Sequence, residues 1–140
     1  MEMLTYVRTI NRGLVVSLFA CTIMAATPDI LCRAAAQDYA AIVAEADRSN
    51  EDRLIDARRD PVVLLQFAGI KTGMKVLDIG AGGGYGTELI QRTVGPTGKV
   101  YTQNAPVPSE RAKAAYDARK TKPVMQDVVE LSRAFDDPVP

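Results

Sequence analysis

Apolar runs bounded by polar and glycine-rich turns divide the chain after residue 48 into alternating helices and strands. Ser49 can cap a first helix, and Asp60 followed by proline can start a second helix that ends at Gly69. The predicted elements are helices at 49–59, 60–69, 87–94 and 109–120, and strands at 74–79, 99–103 and 128–131. Helix-length crossovers join successive strands, so the strands should run parallel. The pattern therefore predicts an α/β fold, with a parallel sheet and flanking helices.

A glycine loop lies between the first strand and the helix that follows it. Its residues are Asp78-Ile-Gly80-Ala-Gly82-Gly-Gly84. Glycines lack a Cβ, so the chain can turn sharply and a ligand can approach the main chain, while N–H groups at the helix start remain free to donate. This order of elements predicts a site for a nucleotide-like ligand. The dinucleotide spacing needs a sixth-position glycine where Tyr85 stands, so a nucleoside that bears an amino acid fits the loop better.

Composition limits the chemistry of the chain. Its 140 residues include 17 basic and 17 acidic side chains, and the basic residues of the 109–120 helix are interrupted by Glu110 and Asp117. We interpret that helix as solvated and expect no nucleic-acid partner. Because the sequence has no histidine, histidine-dependent catalysis and histidine-ligated metals are excluded, and we expect no metal site.

The first 36 residues have the pattern of an export signal. Arg8 and Arg12 precede an apolar stretch at 13–26, and three alanines at 34–36 offer a cleavage site before Gln37. The stretch is shorter than the about 20 residues of a membrane span, although an uncleaved anchor is the alternative. We predict a signal peptide at 1–36, an exported, periplasmic domain at 37–140, and no stable membrane span after cleavage. Such cleavage removes both cysteines, which lie at positions 21 and 32.

Residues 76–89 resemble motif I of class I S-adenosylmethionine-dependent methyltransferases. More narrowly, the chain is similar to a group of exported bacterial proteins predicted to be methyltransferases. That similarity rests on Arg48-Ser49, Asp52-Arg53, Asp56, Arg59, Pro61 and residues 67–89. The resemblance covers residues 37–140 and implies a Rossmann-like sheet with S-adenosylmethionine as the cofactor. By their spacing alone, Arg53, Asp56 and Arg59 predict weak side-chain pairs along one helix face.

The resemblance also implies a set of cofactor-binding residues. They are Asp78, Gly80, Ala81, Gly82, Gly84 and Asn104. The glycines would contact the cofactor through their backbone, and Asp78 would order the loop or bind the methionine amino group. The family places an acid for the ribose hydroxyls where Gln103 and Asn104 stand here, and an amide can accept one hydroxyl bond and donate another. The alternative interpretation is a tight turn that binds no ligand, with Asp78 bonded to nearby amides.

The expected extent of the fold is the N-terminal half of a class I methyltransferase. Such proteins have a seven-stranded sheet, whereas the pattern predicts three strands, so we expect a truncated form. Methyl transfer depends chiefly on proximity and orientation, and the sequence indicates neither a catalytic residue nor an acceptor. Two other functions stay open, a non-enzymatic or degenerate binding module and half of an NAD-dependent oxidoreductase.

Overall fold

The computed structural model describes residues 37–140. The segments that begin with a predicted capping residue are helices. Within those residues the α-helices are α1 (Tyr39–Ala44), α2 (Asn50–Arg59), α3 (Pro61–Ala68), α4 (Tyr85–Val94) and α5 (Glu110–Arg119), and a 3-10 helix spans Pro123–Met125. The strands are β1 (Lys75–Ile79), β2 (Lys99–Asn104) and β3 (Val129–Ser132). No helix in this part of the chain is long and apolar enough to cross a membrane. The predicted leader lies outside the described residues.

Local capping sets the ends of α2 and α3. The Ser49 hydroxyl accepts a hydrogen bond from the Asp52 N–H at 3.1 Å, and the Asp60 carboxylate accepts one from the Val63 N–H at 3.4 Å. Asp60 has a φ of 42°, in the left-handed region, which lets α2 end and α3 begin at one residue. Gly69 ends α3 with a φ of 63°. These helix ends confirm the sequence prediction.

The three strands form a parallel sheet in the order β1-β2-β3. Lys75 lies opposite Lys99, and Tyr101 lies opposite Val129. With α4 and α5 in the crossovers, this arrangement confirms the predicted α/β class. The predicted bounds differ slightly, since α4 begins at Tyr85 and β3 one residue late. The pattern does not indicate α1 or the 3-10 helix, because such short segments contain too few positions to show a period.

Apolar packing fixes the position of α4 against the sheet. Leu89 and Val94 of α4 and Val100 of β2 are at most 2% exposed. Ile42 of α1 and Leu65 of α3 belong to the same buried cluster, together with Ile70 and Tyr85. Because α4 starts directly after the glycine loop, the same packing determines where the loop lies.

Candidate functional site

The glycine loop joins the carboxyl end of β1 to the start of α4. Gly80, Gly82 and Gly84 have φ values of 71°, 56° and 77°, in the left-handed region where a residue with a Cβ is strained. α4 begins without a side-chain cap, whereas the other four α-helices of residues 37–140 each begin with one. The first N–H groups of α4 are therefore available to a ligand.

Two of the loop glycines are required by the packing of α5. A Cβ on Gly84 would lie 2.9 Å from Cδ2 of Tyr116 and 3.1 Å from Cδ of Arg119. A Cβ on Gly83 would lie 3.0 Å from Cβ of Ala115. These positions are glycine because a helix approaches them closely, whatever ligand the loop binds.

Gly80 and Gly82 face open space instead. A Cβ on Gly82 would have no neighbour nearer than 4.0 Å, and a Cβ on Gly80 would meet only the Phe135 ring, at 3.3 Å. That ring is 62% exposed and can move aside. The sequence treats Gly80, Gly82 and Gly84 alike, but the structure leaves only the first two with an open side.

Two amide side chains of β2 hold the loop in place. The Gly82 N–H donates to Oδ1 of Asn104 at 2.8 Å, and Nδ2 of Asn104 donates to the Gly82 carbonyl at 3.4 Å. The fully buried Gln103 accepts from the Gly80 N–H at 3.0 Å and donates to the Arg133 carbonyl. The amides that replace the expected acid are thus bonded to the main chain of the loop.

Asp78 supports the start of α4. Its Oδ2 accepts from the Thr87 hydroxyl at 2.6 Å, and that hydroxyl lies 3.3 Å from the hydroxyl of Thr102. Burial raises the pKa of the Asp78 carboxyl above its ordinary value, against the bond from Thr87, which lowers it. Among residues 37–140 the hydrogen-bond partner of the Asp78 side chain is Thr87, so the alternative in which Asp78 bonds nearby loop amides is wrong. The predicted contact with a methionine amino group stays a prediction.

A buried charge cluster lies behind the loop. Arg119 donates to both carboxylate oxygens of Asp52, at 2.6 and 2.8 Å, contacts Glu88, and donates from Nε to the Gly83 carbonyl at 3.0 Å. Asp52 is 1% exposed and Glu88 is fully buried. Burial acts to raise the pKa of both carboxyls, but hydrogen bonds from basic side chains hold each pKa below its ordinary value. The interpretation of α5 as a solvated helix is therefore wrong for Arg119.

Side chains of α2 and of the turn before it hold Tyr85, the first residue of α4. The Tyr85 hydroxyl donates to Asp56 at 2.6 Å, and Arg48 donates to both oxygens of Asp56 at 2.7 and 2.8 Å. The guanidinium carbons of Arg48 and Arg59 lie 5.9 and 5.6 Å from the centroid of the Tyr85 ring. The predicted pairs along α2 are wrong for Asp56, because its partner is Arg48, eight positions earlier.

Two clefts share Gly82 in their walls. The α2-side cleft, about 440 Å³, is lined by residues 80–83, Tyr85, and side chains of α2 and α5. The β3-side cleft, about 470 Å³, is lined by Asn104, residues 105–108, and side chains of α5 and β3. A ligand that extends along the glycine loop can therefore occupy space at both ends.

The structure brings the six predicted cofactor residues together. Five belong to one loop and its preceding strand, and Asn104 reaches them through its bonds to Gly82. Ala81 is bonded to β2, the strand of Asn104, because its N–H donates to the Gln103 carbonyl at 3.1 Å. Sequence reasoning missed Arg119 and Asp52 as supports of the loop, since they lie 67 positions apart and no local signal connects them.

Residues 11–124 match the sequence model of the family described as protein-L-isoaspartate(D-aspartate) O-methyltransferase. This match confirms the resemblance to methyltransferases. A solved protein-L-isoaspartate O-methyltransferase is 24% identical, with a TM-score of 0.47 over 56% of this chain and 24% of its own. A solved S-adenosylmethionine-dependent methyltransferase from Aquifex aeolicus is 31% identical, with a TM-score of 0.45 over 54% of this chain and 38% of its own. No curated protein matches the chain in sequence. The chain thus covers well under half the length of either solved protein.

Proposed function

The chain belongs to the protein-L-isoaspartate(D-aspartate) O-methyltransferase family, and from that membership we propose that its glycine loop binds S-adenosylmethionine for methyl transfer. The observation that carries the proposal is the open main chain at Gly80 and Gly82, at the carboxyl end of β1. Ligands of parallel α/β sheets bind at this edge. The uncapped start of α4 adds N–H donors at the same place.

The loop is already held in a fixed conformation for such a ligand. Gln103 and Asn104 bond it from β2, and Arg119 bonds the Gly83 carbonyl from behind. Binding then costs little conformational entropy, because the main chain is ordered beforehand. In methyl transfer the acceptor nucleophile, the methyl carbon and the sulfonium sulfur must lie on one line. Holding the cofactor rigidly therefore contributes to the rate.

Isothermal titration calorimetry of the full chain tests this proposal. We expect saturable binding of S-adenosylmethionine and S-adenosylhomocysteine, and no binding of NAD. Gly82→Ala should abolish binding, because its methyl group projects into the open side of the loop. The matched control is Gly69→Ala, which also places alanine at a left-handed residue, but at the end of α3.

Two results would contradict the proposal. Binding of NAD instead would favour the oxidoreductase alternative. A folded wild-type chain that binds none of the three ligands would favour a degenerate module that keeps the loop for folding. Circular dichroism of each sample establishes that the chain is folded.

We also propose that the chain is exported to the periplasm after removal of residues 1–36. The support is the sequence pattern of Arg8, Arg12 and the apolar stretch at 13–26. Expression of the full chain in a Gram-negative host, followed by fractionation and N-terminal sequencing, tests this. A periplasmic product that begins at Gln37 is expected, and a cytoplasmic product that retains Met1 would refute export.

A further inference from the structure

The α2-side cleft is basic in character. Three arginines line it, Arg59 from α2 and Arg111 and Arg119 from α5. None of its lining residues is acidic. Arg119 is neutralised by Asp52 and Glu88. Within residues 37–140, neither Arg59 nor Arg111 has an ion-pair partner. The cleft therefore has unbalanced positive charge beside the glycine loop.

The start of α4 adds to this positive charge. Tyr85 and Gly86 are the first two residues of α4, line the same cleft, and receive no side-chain cap. Their N–H groups and the positive end of the helix dipole favour an anion.

Arg59 is exposed and lies over a buried tyrosine at the wall of this cleft. Its guanidinium lies 5.6 Å from the centroid of the Tyr85 ring, a cation–π distance. Tyr85 is 8% exposed and bonded to Asp56, which in turn is bonded to Arg48. A planar guanidinium supported in this way is suited to bidentate binding of a carboxylate.

The β3-side cleft has the opposite character. It is lined by three carboxylates, Glu110, Asp117 and Glu130, against two lysines. Asp117 pairs with both lysines. An additional carboxylate is disfavoured there, whereas uncharged polar groups of a nucleoside are compatible with it. The charge difference gives an extended ligand one orientation on the loop.

We propose that Arg59 binds the carboxylate of the amino acid end of the cofactor in the α2-side cleft, while the nucleoside lies toward Asn104. This inference rests on the proposed function and assigns Arg59 as a binding residue. The other source of a carboxylate in this cleft is the methyl acceptor, and the choice of ligands below separates the two.

The test compares two thioether ligands by calorimetry with the full chain. S-adenosylhomocysteine has the amino acid carboxylate, and 5′-methylthioadenosine lacks the whole amino acid end. Arg59→Gln should weaken S-adenosylhomocysteine about 10- to 100-fold, as expected for loss of a charge-assisted hydrogen bond, and should leave 5′-methylthioadenosine unchanged. Arg59→Lys keeps the charge without the planar fork and should give an intermediate loss. The control is Arg58→Gln, an exposed neighbour outside the cleft lining.

The outcomes separate this inference from the proposed function. If the wild type binds neither ligand, the proposed function fails and the inference fails with it. If the wild type binds S-adenosylhomocysteine and Arg59→Gln weakens neither ligand, the carboxylate of the cofactor lies elsewhere and Arg59 faces another anion. Equal weakening of both ligands would also overturn the inference, because Arg59 would then act by supporting the loop.

Discussion

Replacement of Gly84 by alanine tests how tightly α5 packs against the glycine loop. The new Cβ would lie 2.9 Å from Cδ2 of Tyr116 and 3.1 Å from Cδ of Arg119. Neither neighbour can move away freely, since Tyr116 is 5% exposed and Arg119 is bonded to both oxygens of Asp52. The variant must therefore displace α5 or shift the loop.

The expected loss of stability has two parts. A residue with a Cβ in the left-handed conformation costs about 1–2 kcal/mol. Overpacking in a site that cannot relax adds about 1–3 kcal/mol, so Gly84→Ala should lose about 2–5 kcal/mol in free energy of unfolding. Gly69→Ala is the matched control, because Gly69 has a φ of 63° and a Cβ there would meet nothing within 4 Å. It should lose only the backbone part, about 1–2 kcal/mol.

Urea unfolding of the full chain, followed by far-UV circular dichroism, measures both variants. The slopes of the unfolding free energy against urea should match the wild type, so that the midpoints report stability alone. Equal losses in the two variants would refute the reasoning, because backbone strain would then account for the whole effect and α5 would not press on the loop.

Three further predictions concern polar groups around the loop. Thr87→Val removes the hydrogen bond that lowers the pKa of Asp78, so that pKa should rise further. A carbon-detected NMR titration of the Asp78 carboxyl measures it, and an unchanged pKa would contradict the assigned bond. The folded chain holds the pKa values of Asp52 and Glu88 below their ordinary values of 3.8 and 4.5. The stability that these two carboxylates contribute to the fold is therefore complete at a pH above the ordinary values, and it is lost as the pH falls through the lowered pKa values. Melting temperatures should therefore fall below about pH 4 and should fall less in Asp52→Asn, which no longer has that carboxyl to titrate. Gln103→Glu keeps the acceptor for the Gly80 N–H but loses the donor to the Arg133 carbonyl, and it leaves a buried carboxylate beside that carbonyl. The free energy of unfolding, measured in urea, should fall by at least about 1–3 kcal/mol. Full wild-type stability would contradict the role assigned to the amide.

The helix ends were predictable from the sequence because they depend on neighbouring residues. Ser49 and Asp60 bond N–H groups three positions ahead, and Gly69 supplies a left-handed residue at the end of α3. The parallel order of the strands was predictable for a related reason, since helix-length crossovers constrain it. The glycine loop was recognisable from its composition and its position between a strand and a helix.

The reasons for particular residues in and behind the loop were not predictable. Gly84 has the same sequence signal as Gly80 and Gly82, but α5 packs against Gly84 and leaves the open side of the other two free. Arg119 resembles any other basic residue of an exposed helix until the fold places it on Asp52. These contacts join elements far apart in the chain, so no window of neighbouring residues contains them.

The amides of β2 show why the expected acid is missing. A carboxylate only accepts hydrogen bonds, whereas Gln103 and Asn104 each accept from a loop N–H and donate to a carbonyl. This double role leaves Asn104 one lone pair on Oδ1 and one N–H on Nδ2 for the ribose hydroxyls, and it uses the Gly82 N–H within the protein. Further unused donors lie at the start of α4, in the cleft that contains Arg59, and there their bonds to a carboxylate would be charge-assisted. Under the proposed function, the amino acid end of the cofactor should therefore contribute more to binding than the ribose does.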